Sequence, residues 1–265
     1  MGRFLDALCD RKYDLFAEVN SIEDLLNRGG QRSIIGCFDK YFLNWPLRNN
    51  YVDWDTFFEQ TGLESIVENC EAEEPISIDE FTYYAEYVLN LLSFVETIIK
   101  TDYFNPVVVN INNVLSHLNF KKHTDDINRV HVIPNDCLVA ESAEIVQDNY
   151  SLGESIYAYN YREIKGDLCA KADILCRLYK HYETIEAKAR GYGLDTLVED
   201  ISQLSNKLDV RHAPTKKQKI VLDGMTATEI EEWYDELFRL YLSLIILVDY
   251  KGKRKDIKEL KAKLG

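Results

Sequence analysis

Ser77 and Glu80 stand three residues apart at the head of SIDEFTYYAEYVLNLLSFVETIIK, the spacing by which a helix N-terminus pairs off its own free amides. Behind them apolar residues fall at Phe81, Tyr84, Ala85, Val88, Leu91, Leu92, Val95, Ile98 and Ile99. That is the i, i+3, i+4, i+7 stripe of a helix with one face on a core, sustained too long for a strand. The chain around it has few breakers. Its 265 residues include only 12 Gly and 5 Pro, about half the usual share of the two together, which favours long helices over a sandwich or barrel of many tight turns. With 46% hydrophobic and 29% charged residues the chain has the composition of a globular protein, long enough for one large domain or two small ones.

The same reading extends along the chain. Phe4 to Val19 is amphipathic, and Ser21 and Asp24 are expected to cap a short further helix through Leu26, stopped by Gly29-Gly30. Residues 33–54 are aromatic-rich helix and loop, and Asp53 is expected to cap a helix through Phe58. The acids of ENCEAEEP (Glu68, Glu71, Glu73, Glu74) read as a solvated linker rather than a metal site. Asn105-Pro106 reads as N-cap and first residue of a helix through Phe120. Residues 121–138 lose the helical period, and VHVIP (130–134) within them has the character of a lone strand. The chain is therefore divided at this point into 1–125 and 126–265. The second part is expected to hold a long helix over 155–190, a helix capped by Asp195 and ended near Pro214, and a last helix behind a second capping pair, Thr226 and Glu229. That last helix directs Ile230, Trp233, Leu237, Leu240, Leu244 and Val248 inward. The expected fold class is all-α, a helical bundle with at most one minor β-hairpin.

Against 31 Lys and Arg stand 45 Asp and Glu, a net charge of −14. The charge is segregated. RHAPTKKQK (211–219) carries +4 and residues 250–265 carry +5, which leaves −23 on the other 240 residues. Such a body repels duplex nucleic acid at long range, so broad DNA coating is not expected, while a local basic site could still hold a few phosphates. Six scattered cysteines with no CxxC pair suit a reducing, cytoplasmic setting. Arg3, Asp6 and Asp10 interrupt any signal-peptide core, and the longest apolar run, Leu244 to Val248, is far too short for a span of about 20 residues; no membrane role is expected.

P-loop, dinucleotide-binding, nucleophile-elbow and zinc-protease motifs do not occur, no His has metal-ligand spacing, and no cofactor is expected. Two constellations remain. In SNKLDVRHAPTKKQ, a helix ending in Asn206 leads to Arg211, His212 and a cationic loop with Lys216, Lys217 and Lys219. A histidine near neutral pKa moves a proton, and a guanidinium stabilises charge on phosphoryl oxygens, the two needs of metal-free RNA cleavage. Cations at a helix C-terminus equally serve the helix dipole. The second pair, Arg177 and His181, shares a helix face at i, i+4, which suits a site or a plain surface alike.

A long helix over 155–190, a second ending in NKLDVRH, a loop, and a long helix opening TATEIEEWYDELFRLYLSLIILVDY together resemble the HEPN superfamily, all-helical modules of prokaryotic defence and toxin–antitoxin systems. The resemblance covers roughly residues 140–265. It implies a helical bundle that dimerises and a composite ribonuclease site that works without metal through 2′-OH attack. On that reading Arg211 stabilises transition-state charge, His212 moves the proton, Asn206 orients, and Lys216, Lys217 and Lys219 bind RNA. The family's signature leaves a gap of four to six residues between Arg and His, whereas here Arg211 and His212 adjoin and Arg177 and His181 have three residues between them. That departure, with the acidic surface, motivates the alternative: a catalytically silent module that binds a protein partner or itself. A weaker third reading, an acidic inhibitor or nucleic-acid mimic, rests on the −23 body alone.

Overall fold

Short polar side chains precede most of the helices and accept their first amides. The computed structural model describes residues 14–30, 33–72, 74–99, 104–211 and 224–264. Among these, eleven α-helices and a single two-stranded hairpin make the fold all-α. The chain divides into two compact units, Met1–Val132 and Ile133–Gly265.

In the first unit, α1 (Leu15–Asn27) starts from Asp14, whose carboxylate accepts from the Ala17 amide, and runs through Ser21 and Asp24 without the expected break. Its apolar spacing continues across SIED (Val19, Ile22 and Leu26 are all buried), so packing overrides the local capping preference. Ser33 caps α2 (Ile34–Tyr41), and Asp53 caps α3 (Trp54–Gln60), its carboxylate taking the Thr56 amide at 2.8 Å. The next helix, α4 (Leu63–Glu71), absorbs Glu68 and Glu71, so the first half of the acidic run is helix rather than linker, while Glu74 follows it and Glu73 lies outside the described residues.

The helix α5 (Ile78–Ile99) is the axis of the unit. Its capping pair forms in both directions: the Ser77 amide donates to Glu80 at 2.8 Å and the Glu80 amide to the Ser77 hydroxyl at 3.1 Å. Phe81, Tyr84, Ala85, Val88, Leu91, Leu92 and Val95 are buried along it. The aromatic run of 33–58 packs as one cluster. Phe38 meets Phe42, Trp45 and Trp54 edge-on at 5.8, 5.0 and 5.3 Å, and Trp54 stacks on Tyr87 at 5.5 Å. The helix α6 (Asn105–His117) begins one residue earlier than the sequence suggests, with Phe104 as cap. VHVIP is a strand, β2 (Val130–Pro134), and it has a partner in β1 (Phe120–Thr124). Asp125 closes the turn between them by accepting from the Ile127 and Arg129 amides.

In the second unit, α7 (Cys137–Ile145) leads to α8 (Tyr150–Ala158), capped by Asn149. The long helix expected over 155–190 is two helices. Tyr159 to Asp167 hold a 3₁₀ turn and Gly166 at φ +78°, and α9 (Leu168–Gly191) starts afresh from Asp167. The helix α10 (Asp195–Lys207) counts Asp195 as its first residue, with Leu194 at the cap position, so Asp195 faces the dipole rather than capping. The capping pair of α11 (Ala227–Leu264) forms as expected, with the Thr226 amide donating to Glu229 at 2.7 Å. On α11, Leu237, Leu244 and Val248 are buried, but Trp233 is 45% exposed and does not belong to the core. A pairing of α9 with α11 is the centre of this unit, with α7 and α10 packed on α11 and α8 on α9. Among the described residues no helix is long and apolar enough to cross a membrane.

Candidate anion-binding site

Arg177, Lys180, His181 and Thr184 stand at i, i+3, i+4 and i+7 on α9, so one face of the helix carries a polar stripe while its other face enters the core. The start of α8 packs opposite that stripe and contributes Asn149, Ser151 and Leu152. Between the two helices lies a cavity of about 290 Å³, lined by these seven residues and open to solvent. Local chemistry fixes its walls. Asn149 accepts from the Leu152 amide at 3.3 Å, which sets the first turn of α8 at the cavity. Ser155, buried one turn on, donates to the Ser151 carbonyl at 2.7 Å and takes a hydrogen bond from Arg177 Nη1 at 3.0 Å. The guanidinium is thereby tied to α8 at the wall of the cavity. Thr184 donates back to the His181 carbonyl at 2.6 Å.

The electrostatics favour an anion. Two cations, Arg177 and Lys180, share the cavity with the N-terminal turn of a nine-residue helix, whose dipole carries positive potential. His181 is half-buried, and that burial holds its imidazole below the ordinary value of 6.5, so it is neutral and able to accept a proton near pH 7.

The residues of the other constellation lie elsewhere. Asn206 and Arg211 are brought together: Arg211 Nη1 donates to Asn206 Oδ1 at 2.6 Å, and the guanidinium lies 5.1 Å over the Tyr179 ring. Tyr179 is two residues beyond Arg177 on α9, about 200° around the helix, so Arg211 sits away from the cavity. His212, Lys216, Lys217 and Lys219 lie outside the described residues.

Sequence reasoning saw Arg177 and His181 as a pair and missed Lys180, Thr184, Asn149 and Ser151. The signal for the α9 residues was present as a helix-period stripe of polar groups. Nothing in the sequence indicated that the first turn of α8 would face that stripe. Comparison with family models, curated proteins and solved structures gives no match to this chain.

Proposed function

We propose that the second unit is a metal-independent ribonuclease module of the HEPN-like kind, and that its cavity at Arg177 and His181 takes the scissile phosphodiester. The observation that carries this reading is a neutral, half-buried histidine one helical turn from a positioned arginine, in a cavity that opens on a helix N-terminus. In the reaction, His181 accepts the proton of the ribose 2′-OH as its oxygen attacks the adjacent phosphorus. Arg177 and the first turn of α8 stabilise the charge on the phosphoryl oxygens. The bond to the 5′-oxygen breaks, that oxygen takes a proton from the Lys180 ammonium, and the products are a 2′,3′-cyclic phosphate and a 5′-hydroxyl. Arg211, bonded to Asn206 and stacked on Tyr179, belongs to a neighbouring surface that supplies charge along the RNA rather than the chemistry.

Cleavage of mixed-sequence RNA in EDTA tests this. Wild type is expected to leave 2′,3′-cyclic phosphate ends. Arg177→Ala/His181→Ala is expected to lose at least about a hundredfold in rate, the usual contribution of positioned acid–base groups. Arg211→Ala/His212→Ala is expected to weaken binding with a smaller effect on the rate of the bound complex. The reverse ranking would return the chemistry to Arg211 and His212. No cleavage by a folded wild type would favour the alternative, a silent interaction module.

A further inference from the structure

The helix α11 runs on past its own buried part. Its buried residues end at Val248, and the end of α9 closes on it at Gly252, where a side chain would begin 3.5 Å from the Tyr192 hydroxyl and 3.6 Å from the Lys188 ammonium. From Lys253 to Leu264 every residue is exposed, a helical arm of about 18 Å at a rise of about 1.5 Å per residue. The arm leaves Ile257 52%, Leu260 56% and Leu264 79% exposed, with Tyr250 at 53% just before it.

The arm is two-sided. At about 100° per residue, Tyr250, Ile257, Leu260 and Leu264 fall within about 80° of arc, one narrow apolar line. Lys253 falls on the same line, but at its base, where Asp249 holds it at 2.7 Å with Glu141 and Glu144 of α7 nearby. Lys261 and Arg254 run along one flank, with Lys258 behind them. The other flank carries Asp256 and Lys263, and the far side carries Lys251, Lys255 and Glu259, the last two ion-paired at 3.8 Å. Seven cations against two acids give residues 250–264 a charge of +5, and six of the seven are lysines.

We propose that this arm lies on an anionic lipid surface, with its apolar line at the depth of the headgroups and its cations among the lipid phosphates and carboxylates. A narrow apolar line edged by lysines is what such a surface takes. The apolar groups enter the interface, and the long lysine stems reach back to keep their ammonium groups in the headgroup layer. Nucleic acid would use the cations and leave Ile257, Leu260 and Leu264 in water. A fixed row of phosphodiesters or carboxylates is matched best by the bidentate fork of Arg, and Arg254 is the one Arg of the arm, whereas lysines act as point charges and suit a fluid layer of anions. The −23 on the body opposes approach only at long range, because the Debye length at physiological salt is about 8 Å, less than half the length of the arm. Contact of this kind needs no spanning helix. The arm shares no residue with the Arg177 cavity, so the proposal stands or falls apart from the ribonuclease reading.

Flotation of the full chain with lipid vesicles tests it. Wild type is expected to bind vesicles of phosphatidylcholine with phosphatidylserine at least about tenfold more tightly than phosphatidylcholine alone, and the difference is expected to shrink as salt rises. Arg254→Glu/Lys261→Glu is expected to lose about tenfold or more of that affinity. Ile257→Gln/Leu260→Gln keeps the charge and the helix preference and is expected to lose about fivefold or more, because its apolar line no longer enters the interface. All four sites are exposed, and circular dichroism reads whether each variant stays folded. Arg177→Ala/His181→Ala, outside the arm, is expected to float as wild type does. A wild type that ignores phosphatidylserine would overturn the proposal. So would an Ile257→Gln/Leu260→Gln variant that floats as wild type does, since plain charge attraction would then suffice. A wild type that stays off the vesicles but binds 2′-O-methyl RNA, which has no free 2′-OH to react, and loses that binding with Arg254→Glu/Lys261→Glu would give the arm to nucleic acid instead.

Discussion

Lys171 is 5% exposed and lies 4.8 Å over the Tyr159 ring, with Glu231 at 2.8 Å and Asp235 at 2.6 Å. Tyr159 donates to the same Asp235 oxygen at 2.9 Å and stacks on Phe238 at 3.9 Å, so a single ammonium organises the junction of α9, α11 and the loop between α8 and α9. The Gly166 amide also donates to Glu231 at 2.8 Å, which ties the left-handed turn to the network. Hydrogen bonds from Lys171 and Gly166 hold the Glu231 carboxyl below its ordinary value of 4.5. A carboxyl with a lowered native pKa adds stability that is present above its unfolded pKa and is lost as pH falls through the native one. Lys171→Met should therefore destabilise the protein by about 1–2 kcal/mol near neutral pH, a figure discounted because both carboxylates keep some solvent. The difference from wild type should shrink as pH falls below about 4.5. Urea unfolding at a series of pH values reads both; a gap that stays constant or widens in acid would contradict the assignment.

At the scale of elements, β2 has β1 on one side and borrows its other partner from a helix. Asn90 on α5 donates to the Val130 carbonyl at 2.7 Å and accepts from the Val130 amide at 2.8 Å, and Glu86 accepts from the Val132 amide at 2.8 Å. A side-chain amide here replaces a strand, which explains how so short a strand stays buried in a helical protein. Asn90→Leu keeps the volume but strands two buried backbone groups, and should lower stability by about 2 kcal/mol in denaturant unfolding. An unchanged midpoint would mean that the hairpin is held by packing alone. The sequence showed VHVIP as a strand, but neither β1 nor Asn90, because FKKHT has little apolar character and Asn90 sits inside a helical pattern. Capping pairs were legible at Ser77 and Thr226, each followed by Glu three residues on, whereas Ser21 and Asp24 at the same spacing lie inside α1. The break between α8 and α9 was not legible, because the apolar spacing runs on through Ile164 and only Gly166, at positive φ, marks the turn. Trp233 misled for a similar reason. Its spacing matches the core stripe, yet it is 45% exposed while its neighbour Tyr234 is buried instead.

For the whole molecule, the all-α fold follows from few breakers and sustained helical periodicity, both properties of the chain read in order. The candidate site is a property of two helices meeting, and only half of it could be read in order. The α9 stripe is written into CRLYKHYET, while the N-terminal turn of α8 joins it through packing. Asn206, Arg211 and His212 were read from their chemistry and their place at a helix end before a basic loop; the fold brings Asn206 and Arg211 together, and His212 lies outside the described residues. If the cavity at Arg177 and His181 receives a phosphodiester, as proposed, NMR titration of the His181 imidazole detects it directly. In the free protein the midpoint should lie below 6.5, because burial disfavours the cation. A dinucleoside monophosphate in the cavity should raise that midpoint, since a bound anion favours the imidazolium, and Arg177→Ala should abolish the rise. A midpoint at or above 6.5 in the free protein, or one that does not move with saturating ligand, would contradict the claim.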